Sequence, residues 1–288
     1  MNIVLFLNRD LEANLAYNLL KEELLKHTVR IYYTDSVGKD DNKPAELAQL
    51  EYLEKRYVYD QLAAFLSRSR INTSFELFDD HFSSFPLEKA RYVNSAEFIA
   101  QMRDFQPDLF ISIRFGKIFK DGIISVPTYG LINLHSAILP DYRGVLGTLH
   151  ALKDGNQEIG CTLHTIPNGD IDTGEIIEIA RLEVNPQRSL FWHVVNLYPM
   201  GVQLIQKALK QIEEKGSLQT QPQDLRAGNY YSVPTASDFV ALQKQGIEVI
   251  SMQDYQQILT EMIFKDVTEK EKRFLEEEIE KVFLMIVK

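Results

Sequence analysis

The order of the first three segments constrains the fold more than any other feature of the sequence. Residues 2–7 (NIVLFL) form a short apolar run typical of a buried strand. Residues 10–26 place leucines on one side of a helix, and residues 29–33 (VRIYY) return to a strand pattern. Because a strand, a helix and a strand in this order are typical of parallel sheets, we predict an α/β protein with a Rossmann-like, doubly wound and mostly parallel sheet.

Strand and helix patterns alternate over the next 180 residues. Further strands are predicted at 74–78, 108–113, 131–134, 161–166 and 175–183. Helices are predicted after Ser95, over 147–154, and from Ser189 to Tyr198. Pro199 is predicted to start a separate helix, because proline is tolerated in a first turn, and Gly216 to end it. The stretch 37–70 is polar, balanced in charge and helical in spacing, so we interpret it as an inserted helical segment.

The character of the chain changes after residue 216. Residues 217–235 are polar and irregular, and Thr235 with Asp238 resembles a capping box that starts a short helix. A short strand at 247–250 and two amphipathic helices follow in the pattern. We therefore predict a main domain over 1–212 and a smaller, largely helical accessory region over 213–288.

Charge and composition restrict the partners of the chain. Its 31 Lys and Arg residues against 41 Asp and Glu residues give a formal net charge of -10, which is unfavourable for nucleic acid and for anionic membranes. No stretch approaches the ~18 apolar residues of a membrane span, and no signal peptide is evident. The single cysteine, Cys161, cannot form an internal disulfide. We expect a cytoplasmic protein whose final helix packs within the chain or at a homodimer contact.

Polar groups suited to acyl transfer concentrate between residues 131 and 178. Asn133 and His135 are two apart at a predicted strand end, so their side chains share a face. Asp172 lies 37 positions after His135, in a Gly-Asp-Ile-Asp-Thr-Gly loop that can return a carboxylate over the sheet edge. An amide and an imidazole can stabilise an oxyanion, and a carboxylate can orient the imidazole. A lone histidine at a strand end is nevertheless more often structural, so these residues alone leave both interpretations open.

Three segments, in order, resemble a known family. NLHSAILPDYRG is similar to the Asn-x-His-x-x-x-Leu-Pro-x-x-x-Gly core of the N10-formyltetrahydrofolate-dependent formyltransferases. FISIRFGKIF resembles the strand and loop that line their folate pocket, and DIDTGEII the loop that carries their aspartate. The resemblance covers 1–212 and implies the formyltransferase fold. It also implies that Asn133 polarises the formyl oxygen, His135 stabilises the tetrahedral intermediate, and Asp172 keeps His135 in a useful protonation state.

The resemblance further implies N10-formyltetrahydrofolate as the formyl donor. The residues that it assigns to the folate pocket are Arg114, Phe115, Gly116, Ile118, Leu139 and Asp170. Neither a metal site nor a dinucleotide cofactor is predicted, because the histidines lack zinc-site spacing and no Gly-x-Gly-x-x-Gly follows the first strand.

Candidates for the acceptor pocket are Arg143, His150 and Tyr230, each with a structural alternative. Arg143 either binds an acidic substrate group or pairs with Asp141. His150 either lines the acceptor cleft or packs, and Tyr230 either stacks on a base or sugar or packs the tail onto the main domain. His164, in mid-strand, is interpreted as a satisfied core residue.

The identity of the acceptor amine is open among three hypotheses. The preferred acceptor is a small-molecule amine, above all a nucleotide-linked amino sugar, with an N-hydroxyornithine-type siderophore precursor as a related alternative. The second hypothesis is methionyl-tRNA, and the third is a non-catalytic protein that binds folate or a partner. Two features weigh against tRNA: residues 217–288 lack the many short strands of a barrel, and the 37–70 insertion is not basic.

Overall fold

The computed structural model describes residues 1–35, 43–78 and 84–286. The strands in these ranges are β1 Asn2–Asn8, β2 Thr28–Thr34, β3 Leu87–Lys89, β4 Leu109–Ile113, β5 Leu131–His135, β6 Tyr142–Gly144, β7 Glu158–Thr165, β8 Ile176–Glu183 and β9 Asn229–Tyr231. The α-helices are α1 Leu11–Leu24, α2 Ala45–Glu51, α3 Ala63–Ser69, α4 Ala96–Phe105, α5 Asp121–Ile124, α6 Gly147–Lys153, α7 Leu190–Lys215, α8 Ala236–Lys244, α9 Met252–Gln257 and α10 Glu269–Ile286. Two π-helical segments, Tyr52–Leu62 and Ile258–Ile263, follow α2 and α9.

Seven strands form one central sheet in the order β3-β2-β1-β4-β5-β7-β8. Strands β1 to β5 are parallel, whereas β7 runs antiparallel to β5 and β8 antiparallel to β7. β1 lies between β2 and β4, and Ile3 to Leu7 are fully buried, as expected for a strand covered on both faces. This arrangement confirms the predicted doubly wound, mostly parallel sheet.

Capping residues that can be recognised in the sequence set the ends of several helices. The side chains of Ser95 and Ser189 accept the amide hydrogens of Phe98 and Trp192 at the starts of α4 and α7. Gly216 ends α7 in the left-handed region (φ 66°). The capping box of Thr235 and Asp238 is present at the start of α8. The predicted helices over these segments are therefore confirmed.

The predicted strand at 74–78 is wrong, although this segment is largely buried. Its backbone bonds to side chains of α1 instead of to a strand. The side-chain amides of Asn14 and Asn18 donate to the Glu76 carbonyl at 2.6 and 2.9 Å. The backbone amide of Phe78 donates to Asn14 Oδ1 at 3.0 Å. Because these bonds satisfy the backbone, Phe75 and Phe78 enter the core without a ladder. The third strand of the sheet is β3, nine residues further on.

Two further predictions are corrected near α7. This helix runs unbroken from Leu190 to Lys215 with Pro199 inside it, so the predicted second helix is a continuation of the first. Burial of its apolar face holds the helix together despite the missing proline N–H. Residues 247–250 are not a strand: the carbonyls of Glu248 and Val249 accept the amides of Leu190 and Phe191, which otherwise lack partners at a helix start.

The C-terminal region is largely helical, as predicted, and packs against helices of the predicted main domain. α8 contacts α6, and α9 contacts α7. One hydrophobic core runs through both parts of the chain, from Ile3 to Phe283. The domain boundary at residue 212 stays a prediction, and it falls inside α7.

The inserted segment is helical where it is described, over α2, Tyr52–Leu62 and α3. Residues 37–42 of the insertion lie outside the described ranges. Among the described helices, none is long and apolar enough to cross a membrane.

Candidate active site

A cavity of about 440 Å³ opens at the carboxyl ends of β4 and β5. One wall comes from the loop after β4 and another from the inserted helices. The loops 144–146 and 168–172 close the remaining side. Residues that line it include Leu50, Glu54, Ser112, Arg114, Phe115, Gly116, Ile118, Asn133, His135, Gly144, Ile166, Asp170, Asp172 and Tyr198. The carboxyl edge of a parallel sheet is the usual place for a ligand site in this kind of fold.

His135 and Asp172 meet at the cavity wall. His135 Nδ1 lies 3.5 Å from Asp172 Oδ2, and both side chains are at most one-tenth exposed. His135 Nε2 lies 2.7 Å from the Tyr142 carbonyl oxygen, which can only accept a hydrogen bond. Each ring nitrogen of His135 therefore faces a hydrogen-bond acceptor, so the ring orientation is fixed from both sides.

The Asp172 carboxylate is held by groups from two directions. Its Oδ2 accepts the backbone amide of Gly144 at 2.8 Å, and its backbone adopts the left-handed region (φ 53°). Burial alone would raise the pKa of Asp172, but the charge of His135, a hydrogen bond from His164 and the Gly144 amide together hold the pKa well below its usual range. Asp172 is therefore ionised throughout the neutral pH range.

His164 is a site residue that the sequence interpretation missed. It is the register partner of Asn133 across β5 and β7, and its Nε2 lies 3.1 Å from Asn133 Nδ2 and 3.4 Å from Asp172 Oδ1. Its Nδ1 lies 2.8 Å from the Thr165 carbonyl oxygen, so Nδ1 must carry a hydrogen. Nε2 therefore lies between the Asn133 side-chain amide and the Asp172 carboxylate. The residue is buried and satisfied, as interpreted, but it also links Asn133 to Asp172.

Arg114 lies at the cavity floor and binds the protein's own acids. Its Nε lies 2.7 Å from Asp10 Oδ2 and its Nη2 3.1 Å from Glu54 Oε2, while Nη1 donates to the Tyr198 hydroxyl at 3.4 Å. The guanidinium joins the turn after β1, the insertion and α7. These contacts occupy much of its donor capacity, and its assignment to the folate pocket stays a prediction.

Three acidic side chains, Asp10, Glu12 and Glu54, surround the single guanidinium of Arg114. Glu12 is fully buried 3.8 Å from Arg114, and neither of its carboxyl oxygens has a hydrogen-bond donor in the described structure. Burial raises the pKa of Glu12 well above its usual range, Arg114 opposes this, and Glu54 and Asp10 add to it. Burial likewise raises the pKa of Glu54, again against the charge of Arg114. Glu12 therefore keeps its proton to a higher pH than a carboxyl group in water.

The residues assigned to the folate pocket fall into two groups. Phe115, Gly116, Ile118 and Asp170 line the cavity with Arg114. Leu139 does not line it as described: its side chain is buried, and its amide donates to Thr162 Oγ1 at 3.1 Å. The roles of all these residues toward a ligand stay predictions.

The three acceptor candidates lie beside the cavity and not among its described lining residues. Arg143 Nη2 donates to the carbonyls of Leu225 and Gly228 at 3.4 and 3.5 Å. His150 is buried and stacks on Tyr231, with ring centroids 3.9 Å apart. Tyr230 is 52% exposed on β9. Their assignment to the acceptor stays a prediction.

Among the side chains of the described ranges, no group of three or more His, Cys, Asp or Glu residues is arranged to hold a metal ion. The polar side chains at the cavity wall include the amide of Asn133, the imidazole of His135 and the carboxylate of Asp172.

Comparison with protein families identifies the class. The profile of the formyl transferase family matches residues 41–191, which is more than half of the chain. The chain therefore belongs to the formyl transferase family, as the sequence motifs predicted.

Solved structures share the fold of this chain. A sugar N-formyltransferase from Shewanella sp. superposes with a TM-score of 0.54 at 16% identity, over 85% of this chain and 88% of that one. An N-formyltransferase from Helicobacter canadensis, in complex with folinic acid and dTDP-3-aminofucose, gives a TM-score of 0.50 at 18% identity, over 83% and 72%. These likenesses confirm the predicted fold.

The curated relatives are named for a different acceptor, methionyl-tRNA. The methionyl-tRNA formyltransferase of Chlamydia abortus is 32% identical over 139 residues, which are 48% of this chain and 43% of that protein. The chain thus spans less than half the length of this relative.

Proposed function

We propose that this protein transfers a formyl group from N10-formyltetrahydrofolate to the amine of a small-molecule acceptor, with a nucleotide-linked amino sugar as the preferred substrate. The observation that carries the proposal is the meeting of Asn133, His135 and Asp172 at one wall of the 440 Å³ cavity. Such a set can stabilise the oxyanion of an acyl transfer and hold the imidazole in place.

The cavity fits a folate in its chemistry. Phe115 and Ile166 supply apolar walls, and loop 168–172 supplies backbone groups of the kind that bind a neutral pterin. The folate, when bound, supplies the formyl group. During transfer a bond forms between the acceptor nitrogen and the formyl carbon, the bond from that carbon to N10 breaks, and the acceptor's proton is released to replace it on the departing nitrogen.

The protein's groups act on the charge that develops in this transfer. The Asn133 side-chain amide can donate to the formyl oxygen as it becomes negative. The imidazole of His135 lines the same cavity and can stabilise this charge. Asp172, ionised and fixed by the Gly144 amide, keeps the imidazole from turning.

Two observations support a small acceptor over tRNA. Over 217–286, the structure holds one three-residue strand, β9, and one isolated bridge between Gln221 and Ile176, together with three α-helices, so it offers no barrel in the described region. Several of the similar structures are sugar N-formyltransferases, whereas the match to methionyl-tRNA formyltransferases covers half of their length or less. The siderophore precursor and the non-catalytic alternative remain outcomes of the test.

The test is a transfer assay with N10-formyltetrahydrofolate and a panel of amines, read by release of tetrahydrofolate. The panel holds amino-sugar nucleotides, N-hydroxyornithine and charged initiator tRNA. We expect release with an amino-sugar nucleotide, and none after His135→Ala. The matched control is His27→Gln, which lies before β2 at the opposite end of the strands. Release with tRNA alone would refute the acceptor, and folate binding without release for any acceptor would favour the non-catalytic alternative.

Cytoplasmic location and a homodimer, both expected from the sequence, stay predictions. Cell fractionation and light scattering on the purified protein test them.

A further inference from the structure

His135 and Asp172 both bind the backbone of one three-residue strand. The Tyr142 carbonyl oxygen lies 2.7 Å from His135 Nε2, and the Gly144 amide donates to Asp172 Oδ2 at 2.8 Å. Tyr142 and Gly144 are the two ends of β6. The position of β6 therefore sets where the acceptor of His135 Nε2 and the amide donor of the Asp172 carboxylate lie.

β6 is not part of the central sheet. Its strand partner in the described structure is β9, from the C-terminal region, and the two strands are parallel. The Asn229 amide donates to the Asp141 carbonyl at 3.1 Å, and the Val145 amide donates to the Tyr231 carbonyl at 2.9 Å. β6 is thus fixed at both ends by a segment more than 80 residues away in the chain.

Two glycines allow this contact. A Cβ on Gly144 would lie 2.1 Å from the Tyr231 carbonyl oxygen, and a Cβ on Gly228 would lie 1.7 Å from the Pro140 carbonyl oxygen. Real Cβ atoms do not approach backbone so closely, so a side chain at either position would push the two strands apart.

The same segment also holds the loop that carries Asp172. The Gln223 side-chain amide donates to the Asp172 carbonyl at 3.3 Å and also to the Gly174 carbonyl. Gln221 pairs through its backbone with Ile176, at 2.8 and 2.7 Å. Residues 221–231 therefore contact the chain on both sides of the His135–Asp172 pair.

We propose that residues 221–231 form a positioning element that orients His135 and Asp172 through β6 and the 172–176 loop. The inference rests on the proposed formyl transfer and names what the C-terminal region contributes to it. When β9 is displaced, His135 Nε2 loses its acceptor and Asp172 loses its amide donor, so the imidazole is free to turn and to change tautomer. The cavity floor at Arg114 does not touch this segment in the described contacts and keeps its shape.

The test compares Gly228→Ala with Gly246→Ala in the full-length protein. Gly246 adopts a positive φ of 77°, and a methyl group added there would have no atom within 4 Å, so its variant carries backbone strain without a clash. We expect Gly228→Ala to lower kcat about 100-fold, the scale of a 1 Å misplacement. The KM for the folate donor should change by less than about twofold, because the donor pocket is intact. Gly246→Ala should leave both values near wild type.

A second readout does not depend on any transfer. Nitrogen-15 NMR of labelled histidines reports the hydrogen bonding and tautomer of His135, assigned with His135→Ala. Gly228→Ala should shift the His135 signals, and Gly246→Ala should not. If the proposed function fails and no acceptor is found, this shift still supports the positioning role.

Unchanged His135 signals in Gly228→Ala would overturn the inference, as would equal losses of kcat in the two glycine variants. If Gly228→Ala does not fold, Gln223→Leu is used in its place. This substitution removes only one side-chain donor from the 172–174 loop. Its expected loss of kcat is about fivefold, the value of one hydrogen bond, with the same shift of His135. Wild-type kcat and His135 signals in Gln223→Leu would also overturn the inference.

Discussion

Asp172→Asn removes one charge from the candidate site while keeping the shape of the side chain. In the folded protein Oδ2 accepts from Gly144 and faces His135 Nδ1 at 3.5 Å, and Oδ1 faces His164 at 3.4 Å. An asparagine can keep one of these contacts through its oxygen, but its NH₂ group then points at a histidine nitrogen. The variant therefore loses the counter-charge for an imidazolium and the fixed orientation of the ring.

The separation of the two groups sets the size of the effect. At 3.5 Å and an effective dielectric constant of about 20, two unit charges attract by about 5 kcal/mol before solvent and side chains relax. If about half of this attraction remains after relaxation, the barrier rises by about 2.5 kcal/mol, which corresponds to a fall of roughly 70-fold in kcat. The folate donor should bind as before, because the charge lies at the reacting centre and the pterin wall is unchanged.

The assay measures kcat and KM for tetrahydrofolate release at neutral pH, with circular dichroism to confirm folding. The control is Asp104→Asn, an exposed carboxylate on α4, which should keep wild-type turnover. Turnover of Asp172→Asn within about threefold of wild type would refute the roles given to Asp172 and His135, because so small a change corresponds to less than about 1 kcal/mol.

Two further predictions concern stability. Arg114→Met should destabilise the fold by about 3–5 kcal/mol in urea unfolding, because it leaves Asp10 and Glu54 buried without their counter-ion; a loss under about 1 kcal/mol would contradict this. Burial lowers the pKa of His150 to about 4, with the charge of Lys153 adding to it. Since this folded pKa lies below the unfolded value, the stability it contributes is present above pH 6.5 and is lost as the pH falls toward 4, by about 2 kcal/mol once solvent screening is allowed for. His150→Phe should remove this part of the pH dependence, and an identical dependence in the variant and wild type would contradict the assignment.

Local sequence patterns predicted the helices and strands whose buried residues recur at a regular spacing. β1 is an unbroken apolar run because its side chains are buried on both faces of the sheet. The helices α4, α7 and α8 begin at the capping residues that the sequence shows. The errors arise where the hydrogen-bond partner is distant in sequence. Phe78 bonds to a side chain of α1, and Val249 bonds to the start of α7, so neither segment needs the strand that its composition suggested.

The candidate site was likewise predicted where local patterns place its residues, and missed where the contact depends on distant parts of the chain. Alternation along β5 placed Asn133 and His135 on one face, and the glycines around Asp172 indicated a loop that returns to the sheet edge; the structure brings these three side chains together. His164 was missed because its place opposite Asn133 depends on the register of β5 with β7. A register of this kind is set by packing and turn geometry, and no local motif records it.

The pairing of β6 with β9 has a consequence for chimeric proteins. Relatives with different acceptors invite an exchange of C-terminal segments, and a junction at residue 212 looks natural in the sequence. Such a junction would join β6 of one parent to β9 of another, and the Val145–Tyr231 contact would then depend on two unmatched backbones. A graft that carries residues 136–146 together with 217–231 would keep this pair intact, so that a new acceptor pocket arrives with the strand that supports it.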